Sequence, residues 1–335
     1  MKNFLKSALL TVLSVIATLG FAEVMMRKVF KSHFPWVYVR VPDSPTTNIP
    51  DSLLGWKGAE GKYMHGTGSH EQRFFEISIL PDGNRRTSET PPTDSAGDIV
   101  FLGGSFTQGW QIDDSNTFAW KIQEALPNFN ILNYGTIGYG TYQSLLVLEG
   151  LLPRLKLARV VVYGFISHHE FRNVADPDYL RGLKQYSRQG AVAVPFVTLN
   201  HHDQVVRHEP EDFPILPFSE YSAIINLIGK VYVDLSQRNR VRQKTAVTEK
   251  LLLQMAEISR KHGARYFVVL LDGDKRVLSH YKEFLEQSRI EFIDCAFPLS
   301  SKDRVAGRGH PNEAINARYA DCILARLQKI IGVRK

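Results

Sequence analysis

The stretch that decides the fold reads Ile99-Val100-Phe101-Leu102-Gly103-Gly104-Ser105-Phe106-Thr107-Gln108-Gly109. Its apolar start, residues 99–102, is typical of a buried strand. The two glycines allow the chain to leave that strand sharply, because they lack a Cβ. Such a turn presents the Ser105 hydroxyl and aims the next backbone N–H groups at the same point, as a nucleophilic serine requires. A plain glycine turn before a helix is the simpler alternative.

Strands and helices alternate from Asp98 to the end of the chain. We predict strands at residues 98–103, 130–134, 159–165, 265–271 and 290–294, and helices near 116–126, 141–152, 247–262 and from 312 onward. This alternation predicts an α/β fold, a three-layer α/β/α sandwich around a five-stranded, mostly parallel sheet of the flavodoxin-like type. Ligands bind beyond the carboxyl ends of such strands, and Ser105 is predicted at one of them.

The sequence divides into three regions. Residues 1–31 form an N-terminal membrane anchor or signal segment, residues 32–96 a lead-in with a small β element, and residues 97–335 the α/β domain. Residues from about 175 to 246 interrupt the alternation. This insertion is too long for a plain loop, and we predict a strand at 191–199, a helix at 221–235 and a position as a cap beside the site.

The N-terminus predicts export. Lys2 and Lys6 precede an uncharged apolar run from residue 8 to 22. The positive end should stay in the cytoplasm, so residues 4–26 would enter the cytoplasmic membrane and the α/β domain would lie on the periplasmic or extracellular side. Two versions stay open: an uncleaved single-pass anchor that buries Glu23, or a signal peptide cleaved near Gly20-x-Ala22.

Charge and cysteine content exclude some functions. The formal net charge is +7, and residues 1–31 contribute +4 of it. The remainder is too weakly basic for a nucleic-acid partner, and no basic stripe with interleaved aromatic residues is present. Cys295 and Cys322 lack the spacing of metal ligands, so they either pair or stay buried as thiols. No cofactor is expected.

Two further stretches follow predicted strands. In Asn133-Tyr134-Gly135-Thr136-Ile137-Gly138-Tyr139-Gly140, a glycine lets a backbone N–H approach a reacting oxygen. The spacing is not G-x-G-x-x-G, which disfavours a dinucleotide site. After the strand near residue 160, His168 and His169 could donate hydrogen bonds to an oxyanion. With Glu170 they also resemble a metal cluster, but adjacent histidines on extended chain point to opposite faces, and a structural pair is the simpler interpretation.

A histidine precedes the final predicted helix, in Gly307-Arg308-Gly309-His310-Pro311-Asn312. Pro311 and the helix-capping type of residue at Asn312 would hold the His310 ring in a fixed place. A histidine is the natural base for a serine hydroxyl, because its pKa lies near neutrality.

These blocks together resemble the SGNH (GDSL-like) hydrolases over roughly residues 97–333. They are most similar to membrane-anchored bacterial members, whose blocks read G-G-S-F-T and N-x-G-x-x-G-x-G-T-x-Q. The resemblance implies that Ser105 is the nucleophile with its N–H in the oxyanion hole, that Gly138 is a second donor and that His310 is the general base.

The sequence departs from this family in two places. The Asn-Asp of the third block is replaced by His168 and His169, and the acidic residue expected three before the catalytic histidine is Gly307. The candidates to orient His310 are Asp303, Asp294 and a backbone carbonyl. If none of them orients it, the site is a Ser-His dyad.

The resemblance implies an acyl-ester enzyme that works through an acyl-enzyme on Ser105. Water as acceptor gives an esterase, a sugar hydroxyl gives an O-acyltransferase, and anchored members act on cell-envelope or secreted polysaccharide. An acylated glycan and envelope polysaccharide machinery are therefore the expected partners, with Trp110 and Tyr139 placed to stack on sugar rings. The alternative is a catalytically degenerate module that binds a glycan or a partner protein.

Overall fold

The computed structural model describes residues 2–29, 47–66, 73–186, 193–212, 214, 216–219, 221–305 and 309–332. The chain forms two compact units, which are described separately. One unit contains the N-terminal helix and two helices from the predicted insertion. The other contains the lead-in, the central sheet and the helices that cover it.

The helices are α1 (Lys2–Val29), α2 (Ser105–Gln108), α3 (Phe118–Ala125), α4 (Thr141–Leu151), α5 (His169–Asn173), α6 (Pro177–Tyr186), α7 (Ala223–Ser236), α8 (Arg238–Arg242), α9 (Lys244–Lys261), α10 (Lys275–Gln287) and α11 (Glu313–Ile331). The strands are β1 (Asn48–Asp51), β2 (Gly55–Gly58), β3 (Gly61–Gly66), β4 (Phe74–Ile79), β5 (Asp98–Gly103), β6 (Asn130–Asn133), β7 (Ala158–Ile166), β8 (Val194–Leu199), β9 (Val205–Glu211), β10 (Arg265–Asp272) and β11 (Glu291–Asp294).

The central sheet has five parallel strands in the order β11-β10-β7-β5-β6. The predicted α/β sandwich is confirmed. The chain runs from β5 outward to β6 and then crosses back to β7, so the order reverses between β5 and β7. Open parallel sheets bind their ligands at such a reversal, outside the carboxyl ends of the strands. The turn that carries Ser105 leaves β5 at this point.

Apolar side chains cover both faces of the sheet, because buried parallel strands are apolar on each side. On one face, Leu145 of α4, Leu251 of α9 and Tyr281 of α10 belong to one buried cluster. On the other face, Phe118 of α3 and Tyr319 of α11 belong to a second cluster. These two clusters place helices on both sides of the strands and produce the three layers.

The structure differs from the sequence predictions at helix α10 and in the insertion. Helix α10 was not predicted; Asp274 caps its first turn by accepting a hydrogen bond from the Arg276 N–H. The insertion at 175–246 is divided between the two units, because the hairpin β8–β9 packs on α4 and α9. In the lead-in, for which a small β element was predicted, the apolar stretch 36–41 lies outside the described residues.

Cys295 and Cys322 form a disulfide that joins the end of β11 to α11 and closes a separation of 27 residues. We expect the Cys295→Ala, Cys322→Ala double variant to lose about 3–4 kcal/mol of unfolding free energy, because the unfolded chain regains loop entropy. Urea unfolding of the oxidised protein, the reduced protein and the double variant checks this. An equal midpoint for all three would contradict the expected stabilisation.

In the other unit, α1 packs against α7. The Glu23 carboxylate accepts hydrogen bonds from the Ser222 hydroxyl (2.9 Å) and from the N–H groups of Ala223 (2.7 Å) and Ile224 (3.1 Å). Those N–H groups begin α7 and have no partner within the helix, so the carboxylate satisfies them. The segment Phe4–Val29 of α1 has a mean hydropathy of 2.0, and its apolar window contains no buried residue. It is long and apolar enough to cross a membrane, although a signal sequence has the same features.

Candidate active site

The Ser105 turn is shaped by the two glycines before it. Gly103 has φ +151°, and a Cβ there would lie 2.2 Å from the Thr107 hydroxyl oxygen and 2.7 Å from the Gly164 carbonyl oxygen. A side chain at this position would therefore displace the strand end. The turn places Ser105 at the first position of α2, with 4% of its surface exposed.

His310 lies beside this serine. The His310 Nε2 atom is 3.0 Å from the Ser105 hydroxyl oxygen, within hydrogen-bond distance. The loop that carries the histidine is fixed at both ends: the Val305 N–H donates to the His310 carbonyl, and the Asn312 side chain caps α11 by accepting from the Ile315 N–H. The two side chains proposed from the sequence as nucleophile and base are thus brought together from positions 205 residues apart.

Gln111 orients the histidine ring. Its side-chain oxygen lies 3.0 Å from His310 Nδ1. An amide oxygen can only accept, so Nδ1 carries the proton and the lone pair of Nε2 faces Ser105. This is the tautomer that a general base needs.

Gln111 was not identified from the sequence. Of the candidates named there, Asp303 accepts from the N–H and hydroxyl of Ser300, and Asp294 forms an ion pair with Lys282. Both carboxylates are engaged away from His310. Gly307 lies outside the described residues.

The turn that carries Gln111 is held by Arg85. Gln111 has φ +74°, a left-handed conformation that costs energy for a residue with a side chain. The Arg85 guanidinium is fully buried and donates to the backbone carbonyls of Gln108, Gly109 and Ile112, on both sides of Gln111. The Asp114 carboxylate, 2.7 Å away, balances its charge. Arg85 therefore fixes the turn in the conformation that directs Gln111 to the histidine.

His168 and His169 do not both lie where the predicted oxyanion site requires them. His168 is exposed, whereas His169 is fully buried, with its Nδ1 atom 2.6 Å from the Tyr163 hydroxyl. Its Nε2 atom makes no hydrogen bond and faces the serine turn, since a Cβ on Gly104 would lie 2.8 Å from it. The two histidines point to different surroundings, so at most His169 is placed to act near Ser105.

A positive charge also lies beside the serine turn. Arg172 donates to the Tyr139 carbonyl at 2.8 Å, and a Cβ on Gly104 would lie 2.9 Å from its guanidinium nitrogen. Arg172 was not identified from the sequence. Burial, together with the charges of Arg172 and Arg304, lowers the pKa of His310 to about 4. His310 is therefore neutral at pH 7 and able to accept a proton.

The loop that carries Gly138 packs against the Ser105 turn. The Thr136 N–H donates to the Gly103 carbonyl at 3.0 Å, and the Ile137 N–H donates to the Gln108 side chain at 2.9 Å. Gly138 itself has φ +82°. The structure brings Gly138 to the same end of the sheet as Ser105, and its role as oxyanion donor stays a prediction.

The aromatic residues predicted to stack on sugar differ in exposure. Tyr139 is 1% exposed; its ring packs edge-on against Trp56, and its hydroxyl donates to the Trp56 carbonyl. The prediction that Tyr139 contacts substrate is not supported, because its ring fills the core. Trp110 is half-buried and packs against Phe75 and His65.

Glu170, considered with the histidines as a metal ligand, is buried and engaged elsewhere. It forms an ion pair with Lys244 and accepts hydrogen bonds from Thr245 (2.6 Å) and Tyr281 (2.9 Å). Within the described part of the chain, no group of three His, Cys, Asp or Glu residues is arranged to hold a metal ion.

No protein-family model matches the chain, and no curated protein matches it. Among solved structures, a member of the lipolytic G-D-S-L family from Veillonella parvula is 14% identical, with coverage of 68% of this chain and 96% of that one and a TM-score of 0.39. The esterase EstA from Pseudoalteromonas is 13% identical, with 69% and 99% coverage and a TM-score of 0.40. The aryl esterase of M. Smegmatis is 11% identical, with 70% and 100% coverage and a TM-score of 0.39. The G-D-S-L family is the one that the sequence blocks resemble.

The lowered pKa of His310 predicts the pH dependence of any reaction in which this imidazole takes the Ser105 proton. The neutral imidazole is the active form, so activity should persist through mildly acidic pH and fall to half near pH 4 rather than near the ordinary histidine value of 6.5. The profile of kcat/KM against pH measures this value in the free protein. A half-point near 6.5 would show that the ring is solvated and unaffected by the neighbouring arginines.

Proposed function

We propose that this chain is a serine-dependent acyl-ester enzyme, either an esterase or an O-acyltransferase. The observation that carries the proposal is the set of contacts from the Ser105 hydroxyl to His310 Nε2 and from His310 Nδ1 to Gln111, each 3.0 Å long. Nucleophilic catalysis by serine requires three groups: a hydroxyl, a neutral imidazole in the correct tautomer, and a group that fixes this tautomer.

The reaction has two halves. His310 Nε2 takes the proton of Ser105 as the serine oxygen attacks the ester carbonyl, and the N–H groups of Ser105 and Gly138 stabilise the oxyanion. The carbon–oxygen bond to the alcohol then breaks, the alcohol leaves with the proton from His310, and the acyl group stays on Ser105. Water or a sugar hydroxyl then gives its proton to His310 and attacks the acyl carbon. The bond from that carbon to the Ser105 oxygen breaks, His310 returns the proton to Ser105, and an acid or a new ester is released.

We propose further that the enzyme is exported and held by α1, with its catalytic unit on the periplasmic or extracellular side. The apolar α1 supports membrane attachment, and the Cys295–Cys322 disulfide supports an oxidising compartment. The resemblance to anchored SGNH-like proteins supports an acylated cell-envelope or secreted polysaccharide as substrate and envelope polysaccharide machinery as partner. Trp110 is the remaining aromatic candidate for sugar contact.

A fluorophosphonate probe tests the proposal, because it forms a covalent bond only with an activated serine. We expect the full-length protein to be labelled, Ser105→Ala to remain unlabelled, and Ser115→Ala, which removes an exposed serine a few residues away, to be labelled like the wild type. Absence of labelling at acidic, neutral and alkaline pH would contradict catalysis. That outcome would favour the alternative, a module that binds a glycan or a partner protein through the same fold.

A further inference from the structure

Helix α7 presents an apolar face that is exposed among the residues that the structure describes. Ile228, Tyr232 and Leu235 are 56%, 63% and 64% exposed, and Val231 lies between them. Spacings of three and four residues place these four side chains on one face of the helix. Phe218 and Tyr221, just before the helix, are exposed to a similar extent. We call these six residues the α7 apolar surface.

The α7 apolar surface adjoins a second exposed apolar surface, that of α1. The two helices pack together, and Glu23 of α1 accepts hydrogen bonds from the first N–H groups of α7. Arg27 of α1 also donates to the Tyr221 carbonyl at 2.6 Å. These contacts fix the start of α7 beside the C-terminal end of α1, where a spanning helix would leave the bilayer.

We infer that α7 lies in the lipid–water interface of the membrane that α1 enters. Helix α7 has 14 residues, a length of about 21 Å, which is too short to cross a hydrocarbon core of about 30 Å. Its opposite side carries an ion pair between Lys230 and Asp234, and Arg27, Lys28 and Arg238 belong to the segments at its two ends. An apolar face with tyrosines and a charged opposite face are the features of a helix that lies flat at a membrane surface.

The position of Glu23 also follows from this arrangement. A carboxylate near the end of an apolar membrane helix is costly unless it is paired. Here Glu23 pairs with Arg27 and caps α7, so the charge is satisfied at the level where α7 begins. The inference rests on the proposed membrane attachment of α1 and is independent of the chemistry at Ser105.

Lipid quenching of single cysteine labels tests the inference in the full-length protein. The sequence contains two cysteines and they form the disulfide, so one introduced cysteine gives a unique thiol. A polarity-sensitive dye would be placed at Ile228→Cys, Tyr232→Cys or Leu235→Cys. The matched control on the opposite side of the same helix is Lys230→Cys, Ser301→Cys reports the catalytic unit, and Leu13→Cys reports α1. The labelled proteins are reconstituted in phosphatidylcholine vesicles that contain spin-labelled lipid.

We expect shallow spin-labelled lipid to quench the three dyes on the α7 apolar surface several-fold more than the dyes at 230 and 301, and deep spin-labelled lipid to quench the dye at 13. Quenching at 13 with none at 228, 232 and 235 would overturn the inference and leave the anchor intact. Quenching that depends on protein density but not on spin-labelled lipid would show a second copy on this surface and would also overturn it. Labelling of Ser105 by the fluorophosphonate probe in the same vesicles reports separately on the proposed function.

Discussion

Replacing His310 by alanine should lower kcat/KM for an ester substrate by about 10⁴-fold or more, because the Ser105 hydroxyl then loses the base that it contacts. The contact of 3.0 Å between His310 Nε2 and the serine oxygen is the basis of this expectation. Steady-state hydrolysis of an activated ester, together with the rate of fluorophosphonate labelling, measures both the chemistry and the reactivity of the serine.

The matched control for this variant is His280→Ala, which removes an exposed histidine that is paired with Glu249. It should retain the wild-type rate. A His310→Ala variant that keeps a tenth of the activity and a native circular dichroism spectrum would show that another group deprotonates Ser105.

Replacing Gln111 by alanine should lower kcat by about 10²–10³-fold, since the His310 ring then samples the wrong tautomer and orientation. Replacing it by glutamate should restore the orientation and add a negative charge 3.0 Å from Nδ1. A carboxylate at that distance favours the protonated imidazole, so the acidic half-point of the pH profile should rise by about 1–3 units from its value near 4.

The two Gln111 variants distinguish an orienting role from simple packing. An unchanged half-point in Gln111→Glu would show that the side chain at position 111 does not lie beside His310 Nδ1. Gln287→Ala, which removes an exposed amide bonded to Glu283, is the control and should change neither kcat nor the pH profile. Wild-type kcat in Gln111→Ala would refute the orienting role.

The fold could be predicted because its signals are local. Each central strand is a short apolar run, and each predicted helix has a continuous apolar stripe. Helix α10 was missed because it follows the loop-like Asp272-Gly273-Asp274 and buries a narrow stripe, Leu278, Tyr281 and Leu285. The burial of a side chain cannot be predicted from its neighbours in sequence. Tyr139 lies in a glycine-rich loop, which suggests an accessible ring, but Trp56, distant in sequence, packs against that ring.

The candidate site was predictable where the residue type and its place after a strand or before a helix agree, as for Ser105 and His310. Gln111 carries no such signal. It lies 199 residues from the histidine that it orients, it occupies a backbone conformation that is uncommon for glutamine, and the guanidinium that stabilises this conformation comes from another region of the chain. The carboxylates predicted from the sequence to orient His310, Asp294 and Asp303, are close to it along the chain but are engaged with other residues.

The place of Arg85 in the chain has a practical consequence for dissecting this protein. The α/β alternation begins at Asp98, which suggests a minimal catalytic fragment that starts there. Such a fragment would lack Arg85, which among the described residues is the side chain that binds the carbonyls of Gln108, Gly109 and Ile112 together. Without it the turn would relax, and His310 would lose its orienting partner Gln111. Through Arg85, the region before Asp98 thus contributes to the geometry of the proposed site, and truncation at the apparent boundary should yield a protein whose serine is present but unreactive.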